Sequence, residues 1–153
     1  MPYLLALILL VIAASASAET ARVIDGDSLE LAGEDIRRIG IDAPEGRQFC
    51  HRDGLEWACG DDATAVLREL VAVAEVRCDV LGHDRWGRAL AVCFADGVEL
   101  NREMVRSGWA LAYYPERGAV PGPAYDAEQL KAEQAERGLW SGSFVPPWEW
   151  RRR

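Results

Sequence analysis

Three short apolar runs, each cut off by a turn of Asp, Gly or Pro, fill residues 21–44, and they constrain the chain more than any other feature. Ala21-Arg22-Val23-Ile24 runs into Asp25-Gly26-Asp27. Ser28 to Leu31 ends at Gly33-Glu34-Asp35. Ile36-Arg37-Arg38-Ile39-Gly40-Ile41 ends at Asp42-Ala43-Pro44. These are three strands in sequence. The period then changes. Ala63, Leu67, Leu70, Val71 and Ala74 recur at i, i+4, i+7, i+8 and i+11, one face of a helix over Asp61–Ala74. Residues 46–60, between strand and helix, read as a polar surface loop.

Glu75–Leu81 and Arg88–Phe94 form a further strand pair, and Asp96-Gly97 turns the chain. Glu99–Ser107 is a short helix stopped by Gly108, and Trp109–Tyr114 is extended. After the Pro/Gly loop Pro115–Pro123, Ala124–Arg137 is a polar helix ended by Gly138. Five short strands with a helix after the third fit a fold that is mainly β with helices (α+β): a five-stranded OB-fold barrel with three helices.

Leu4 to Ala14 is an apolar run followed by Ser15-Ala16-Ser17-Ala18, the pattern of a signal peptide cut after Ala18. The organisation expected is a signal peptide at 1–18, one domain at 19–145 and a Trp/Arg-rich tail at 146–153. Export to the periplasm or the medium follows, with no stable membrane association after cleavage, and nothing demands more than a monomer. Cys50, Cys59, Cys78 and Cys93 are an even set, which in an exported chain suggests disulfides. Of the three possible pairings, Cys50–Cys59 with Cys78–Cys93 is favoured; the second pair flanks residues 82–87 and would staple neighbouring strands. A zinc site with His51 or His83 is the competing reading, and it lacks a paired CxxC.

The net charge is −8, and residues 1–18 contain no charged side chain. A uniformly basic nucleic-acid coat protein is therefore excluded, and any phosphate binding must come from a local patch. Three segments concentrate charge beside turns: Asp25-Gly26-Asp27, Asp42-Ala43-Pro44-Glu45 and Asp84-Arg85-Trp86-Gly87-Arg88. Carboxylates with a freed backbone carbonyl are hard oxygen ligands for Ca²⁺ or Mg²⁺. Neighbouring arginines match phosphate oxygens with a planar fork.

These stretches, Val23–Ser28, Ile36–Glu45 and Asp84–Arg88, resemble the three signature segments of the staphylococcal nuclease-like (thermonuclease) family, in the right order and spacing. The resemblance extends from about Ala21 to Trp140 and takes in Leu100-Asn101, Gly108-Trp109-Ala110 and Gly138-Leu139-Trp140. It implies that Asp27, Asp42 and the backbone carbonyl of Ala43 bind Ca²⁺, the cofactor. It implies Glu45 as general base and Arg37 and Arg88 as the arginines on the scissile phosphate. Arg85, Tyr113 and Tyr114 fall at substrate-contacting positions. Trp86 and Ser28 replace the more usual Tyr and Thr. The implied activity is hydrolysis of DNA and/or RNA leaving a 3′-phosphate.

Other residues read more plainly. Arg38 is a solvated strand residue, and Arg47 and Arg52 are loop charges. His51 and His83 lie on the surface, and Trp57, Trp109 and Trp140 are core or cap residues. Arg151–Arg153 is a disordered end, with an aid to DNA contact as the alternative. The expected function is an exported Ca²⁺-dependent nuclease. The alternatives are a silent OB-fold module that binds nucleic acid or a protein partner, and an envelope-associated domain that keeps only the scaffold.

Overall fold

The computed structural model describes residues 21–114 and 120–153, so the expected leader and the first part of the Pro/Gly loop lie outside the described residues. In chain order the first elements are β1 (Arg22–Val23), β2 (Ser28–Leu31), β3 (Glu34–Arg38) and β4 (Ile41–Asp42). Then come β5 (Cys50–Arg52), β6 (Leu55–Trp57) and helix α1 (Cys59–Ala72). The second half holds β7 (Val76–His83), β8 (Ala89–Ala95), β9 (Val98–Glu99), α2 (Leu100–Arg106), β10 (Leu111–Ala112), α3 (Asp126–Gln134) and the one-turn helix α4 (Pro147–Trp150).

The main sheet runs β1-β2-β3-β8-β7, with β9 added on β8. Among the described residues only β3 and β8 pair in parallel, in the register Ile36↔Ala89, Arg37↔Leu90 and Arg38↔Ala91. A bulge between Val80 and Gly82 interrupts the long β7–β8 hairpin. Bulges of this kind raise local twist and curl a sheet toward a barrel. The β4 and β10 strands pair apart from the main sheet, Asp42 facing Leu111. The whole is the mixed α+β, OB-type barrel expected, with four α-helices among the described residues in place of three.

Alternation decides which side chains enter the barrel. On β3, Ile36 and Arg38 both point inward and are 3% and 0% exposed. Leu29 on β2 and Ala89, Ala91 and Cys93 on β8 join Ile36 in one apolar cluster. A second cluster sits between α1, α2 and the site strand β4: Ile41, Ala43, Ala63, Leu67, Met104 and Tyr125. Burying such side chains fully stabilises by roughly 1.5–3 kcal/mol for each large one. Asn101 knits the two regions. Its amide donates to the Ile39 carbonyl at 2.9 Å and the Ala91 carbonyl at 3.1 Å, and its oxygen accepts the Cys93 N–H at 3.1 Å.

Cys50–Cys59 and Cys78–Cys93 are bridged, and the described residues contain no free cysteine. With all four sulfurs paired, the zinc alternative has no thiolate. His51 and His83 are exposed, as expected. Trp57, Trp109 and Trp140 pack around the Cys50–Cys59 bridge and Leu139.

Four expectations need correction. Residues 46–60 are not a plain loop, because β5 and β6 form a hairpin there, with Cys50 opposite Trp57. The stretch Trp109–Tyr114 contributes only the two-residue strand β10. Arg38 is not solvated: the same period of two that buries Ile36 carries it inside. The end of the chain is not a disordered tail. Ser143 pairs with His51 through two backbone hydrogen bonds of 2.8 and 2.9 Å, Gln48 donates to the Val145 carbonyl at 2.7 Å, and Pro147 is buried at the start of α4.

Candidate active site

Two backbone loops bring the first carboxylates together. Asp27 ends the turn after β1, and Asp42 and Ala43 follow the bend at Gly40. The Ala43 N–H donates to Asp27 Oδ2 at 2.8 Å, which pins the second loop to the first. Glycine makes the approach possible: a Cβ on Gly26 would lie 2.7 Å from the Ala43 Cβ. Asp27 is 2% exposed and Asp42 0%.

Arg37 spans the two carboxylates. It ion-pairs with Asp27 through Nη1 and donates from Nη2 to Asp42 Oδ1 at 2.8 Å. Burial pushes Asp27 up, but the charge of Arg37, the Ala43 N–H and Arg38 outweigh it and hold the carboxyl below its usual range. Burial wins at Asp42, whose carboxyl is raised despite Arg151 and Arg37. Asp25 accepts the Asp27 N–H at 3.1 Å. Burial and the neighbouring Asp27 charge push its carboxyl up to about 6.

Beneath these groups, Arg38 donates to the Gly26 carbonyl, and its Nε and Nη1 are buried without a hydrogen-bond partner. Desolvation lowers its guanidinium to about 10. The barrel floor therefore carries a cation under the acidic loop.

Glu45 stands at the rim, one third exposed. Its backbone is locked: its carbonyl accepts the Gln48 N–H at 2.8 Å, and its N–H donates to Gln48 Oε1 at 3.3 Å. Gly60, at the start of α1, lies so close beneath that a Cβ there would overlap the Glu45 carbonyl oxygen. On the opposite wall Asp84 organises the third segment. Its Oδ1 accepts the N–H groups of Trp86 at 2.9 Å and Arg88 at 3.0 Å, and its Oδ2 accepts Arg88 Nε at 2.8 Å.

A cleft of about 460 Å³ joins these parts, lined among others by Asp25, Arg37, Arg38, Glu45, Asp84 and Arg88. Arginine is concentrated there although the whole chain is at −8. Tyr113 also lines the cleft, held by its N–H to the Gly40 carbonyl at 3.0 Å and by Trp148, whose ring centroid is 5.6 Å away. Trp86 lines it too, with the guanidiniums of Arg85 and Arg88 over its ring at 4.1 and 5.4 Å. Arg85 and Tyr114 lie outside the lining. Arg85 reaches it only through Trp86, and the Tyr114 hydroxyl donates to Asp126 on α3.

One residue of the site is absent from the sequence expectations. Arg151, just after α4, forks onto Asp42, with Nη1 to Oδ1 at 2.9 Å and Nη2 to Oδ2 at 2.8 Å. The same Nη1 donates to Glu45 Oε1 at 2.7 Å. Those hydrogen bonds raise its guanidinium. No local signal marks Arg151 within the run Arg151–Arg153.

The donor set suits a small hard cation. Asp27, Asp42 and the Ala43 backbone lie together, and their carboxylates already attract two guanidiniums. Among the described residues no three His, Cys, Asp or Glu side chains are grouped closely enough to hold a metal ion by themselves. The carboxylates are held instead in ion pairs with arginine.

Residues 35–142 match the family model described as "Staphylococcal nuclease homologue". The span includes Arg37, Asp42, Ala43, Glu45, Arg85 and Arg88, and leaves Asp27 and Arg151 outside. The chain is 36% identical over 149 residues to an uncharacterized endonuclease of Escherichia coli O157:H7, covering 94% of this chain and 90% of that one. It is 31% identical over 154 residues to a micrococcal nuclease of Shigella flexneri, with 88% and 79% covered. Similarity to the succinoglycan biosynthesis protein ExoI of Rhizobium meliloti (strain 1021) is 35% over 123 residues, covering 78% of this chain and 62% of that protein, so this chain spans less than two thirds of it.

Proposed function

The chain belongs to the staphylococcal nuclease homologue family, and on that premise we propose that it is a Ca²⁺-dependent nuclease that hydrolyses phosphodiester bonds of DNA and/or RNA. The observation that carries the reading is the single cleft lined by Arg37, Glu45 and Arg88, with Asp27 and Asp42 beside it. A phosphodiester repels an anionic nucleophile, so charge must be neutralised before water can attack. Asp27, Asp42 and the Ala43 carbonyl hold the divalent ion, which when bound supplies positive charge and orientation to the phosphate.

Glu45 accepts the proton of the attacking water. The new bond joins the water oxygen to phosphorus, the bond to the 5′ oxygen breaks with its electron pair, and that oxygen takes a proton from solvent to leave as a hydroxyl. Arg37 and Arg88 stabilise the charge that builds on the phosphoryl oxygens; one such donor is worth on the order of 10²–10³ in rate. Asp84 positions Arg88, and Asp27 with Asp42 positions Arg37. Trp86 and Tyr113 offer aromatic faces to the neighbouring bases, with Arg85 beside them. Tyr114 takes part only through its position next to Tyr113.

The protein is exported, with residues 1–18 as its leader, and works as a monomer without stable membrane association. Two disulfides support an oxidising compartment. Among the described residues no helix is long and apolar enough to cross a membrane.

The test is incubation of the purified chain with single-stranded DNA and with RNA, in Ca²⁺ and then in chelator. Cleavage in Ca²⁺ that stops in chelator is expected. Binding without cleavage in any divalent ion would leave the silent OB-fold module as the better reading.

A further inference from the structure

We propose that Arg151 is a built-in occupant of the cation seat, so that a divalent ion enters only by displacing this guanidinium and the segment that carries it. The inference rests on the metal-binding reading above and adds a regulatory contact to it.

Geometry carries it first. Arg151 takes both oxygens of Asp42 in a fork and reaches Glu45 with the same hand. Asp42 is 0% exposed with Arg151 in place, so one of the ion's expected ligands is sealed. The fork fits a carboxylate bidentately, the stronger form of this pair.

Charge carries it further. Asp27, Asp42 and Glu45 bring three negative charges and Arg37 with Arg151 bring two positive ones. Asp25 and buried Arg38 offset each other. Adding a divalent ion while both arginines stay would leave the cluster at +1, with cations crowded in a largely buried site. Exchanging Arg151 for the ion leaves it neutral. Opposite charges in contact favour each other and like charges do not, most strongly where solvent is scarce.

The carrier is an element with its own seat. Ser143 pairs with His51, Gln48 holds the Val145 carbonyl, and the Pro146 carbonyl accepts the N–H groups of Glu149 and Trp150, each at 2.9 Å. Trp148 rests on Tyr113, itself on the cleft wall. Docking of this segment therefore fills the cation seat, holds Glu45 in an ion pair that occupies Oε1, and narrows the cleft. Ion binding and release of Glu45 become one event.

The experiment titrates Ca²⁺ calorimetrically into the full chain and into Arg151→Met and Arg151→Lys, without nucleic acid, after circular dichroism confirms that each folds. Arg151→Met is expected to bind Ca²⁺ about tenfold more tightly, within the usual range of coupling between competing events, and Arg151→Lys between the two. Hydrogen exchange of the unmutated chain is expected to show the Glu149, Trp150 and Arg151 amides exchanging faster when Ca²⁺ is added. Unchanged or weaker binding by Arg151→Met, or slower exchange of those amides, overturns the proposal. If neither chain binds Ca²⁺, Mg²⁺ or Mn²⁺, the metal-binding reading falls and takes the proposal with it.

Discussion

Arg37 and Asp42 stand five positions apart and meet at 2.8 Å because Gly40 turns the chain between them. A straight strand would set them roughly 17 Å apart. Gly40 has φ +82°, and a Cβ there would lie 2.7 Å from the Pro123 carbonyl oxygen and 2.8 Å from Tyr125 Cε2. Left-handed backbone costs an L-residue roughly 1–2 kcal/mol, and overpacking adds ~1–3 kcal/mol. Gly40→Ala should lose about 3 kcal/mol in urea denaturation. A loss below ~0.5 kcal/mol would mean that the bend tolerates a side chain and does not set the site.

Gly60 acts on Glu45 from below. Because a Cβ would collide with the Glu45 carbonyl, Gly60→Ala must shift the loop that aims the proposed base. A displacement near 1 Å costs about 10²-fold in a reaction that depends on orientation. The turnover number of Gly60→Ala should fall at least tenfold, and because the clash is with backbone its melting temperature should fall as well. Full activity would show that Glu45 does not depend on this contact.

Asp25 predicts a pH dependence with a definite sign. Its carboxyl is pushed up to about 6 by burial and by Asp27. Between pH ~4 and ~6 the folded chain therefore holds a proton at Asp25 that the unfolded chain has lost. Stability from this residue is greatest below pH ~4 and falls as pH rises toward ~6. In chelator, the unmutated chain should lose about 1–2 kcal/mol relative to Asp25→Asn between pH 4 and 7, after allowance for solvent screening. A gap that stays constant or moves the other way contradicts the assignment.

Cys78–Cys93 closes a loop with a sequence separation of 15 and ties β7 to β8 in register. Cross-linking such a loop is worth ~3 kcal/mol in the chain-entropy account. Cys78→Ala/Cys93→Ala should lose about that much, and a thiol assay on the unreduced protein should find no free thiol. Two reactive thiols per chain would refute the bridge.

Much of this was legible from local pattern. The β2 and β3 runs, the α1 face and the turn at Asp25-Gly26-Asp27 depend on neighbours in sequence, and period and turn chemistry report those directly. The charge of Arg38 points to solvent while its alternation with Ile36 points inward, and the barrel interior accepts it through the Gly26 carbonyl and the charges of Asp27 and Asp25. The β5–β6 hairpin was hidden in polar residues whose order comes from pairing and from Cys50–Cys59. Arg151 had no readable signal at all. It reaches Asp42 from 109 positions away, by way of contacts between Ser143 and His51 and between Val145 and Gln48. Such contacts are properties of the folded surface.

On the proposed mechanism Glu45 drives water onto a phosphodiester held by Arg37 and Arg88. Single-turnover cleavage of a short single-stranded oligonucleotide in saturating Ca²⁺, by the unmutated chain and by Glu45→Gln, tests it most directly. The first-order rate for Glu45→Gln should be at least ~10² lower, with oligonucleotide affinity within about threefold. Equal cleavage rates for the two chains would contradict it.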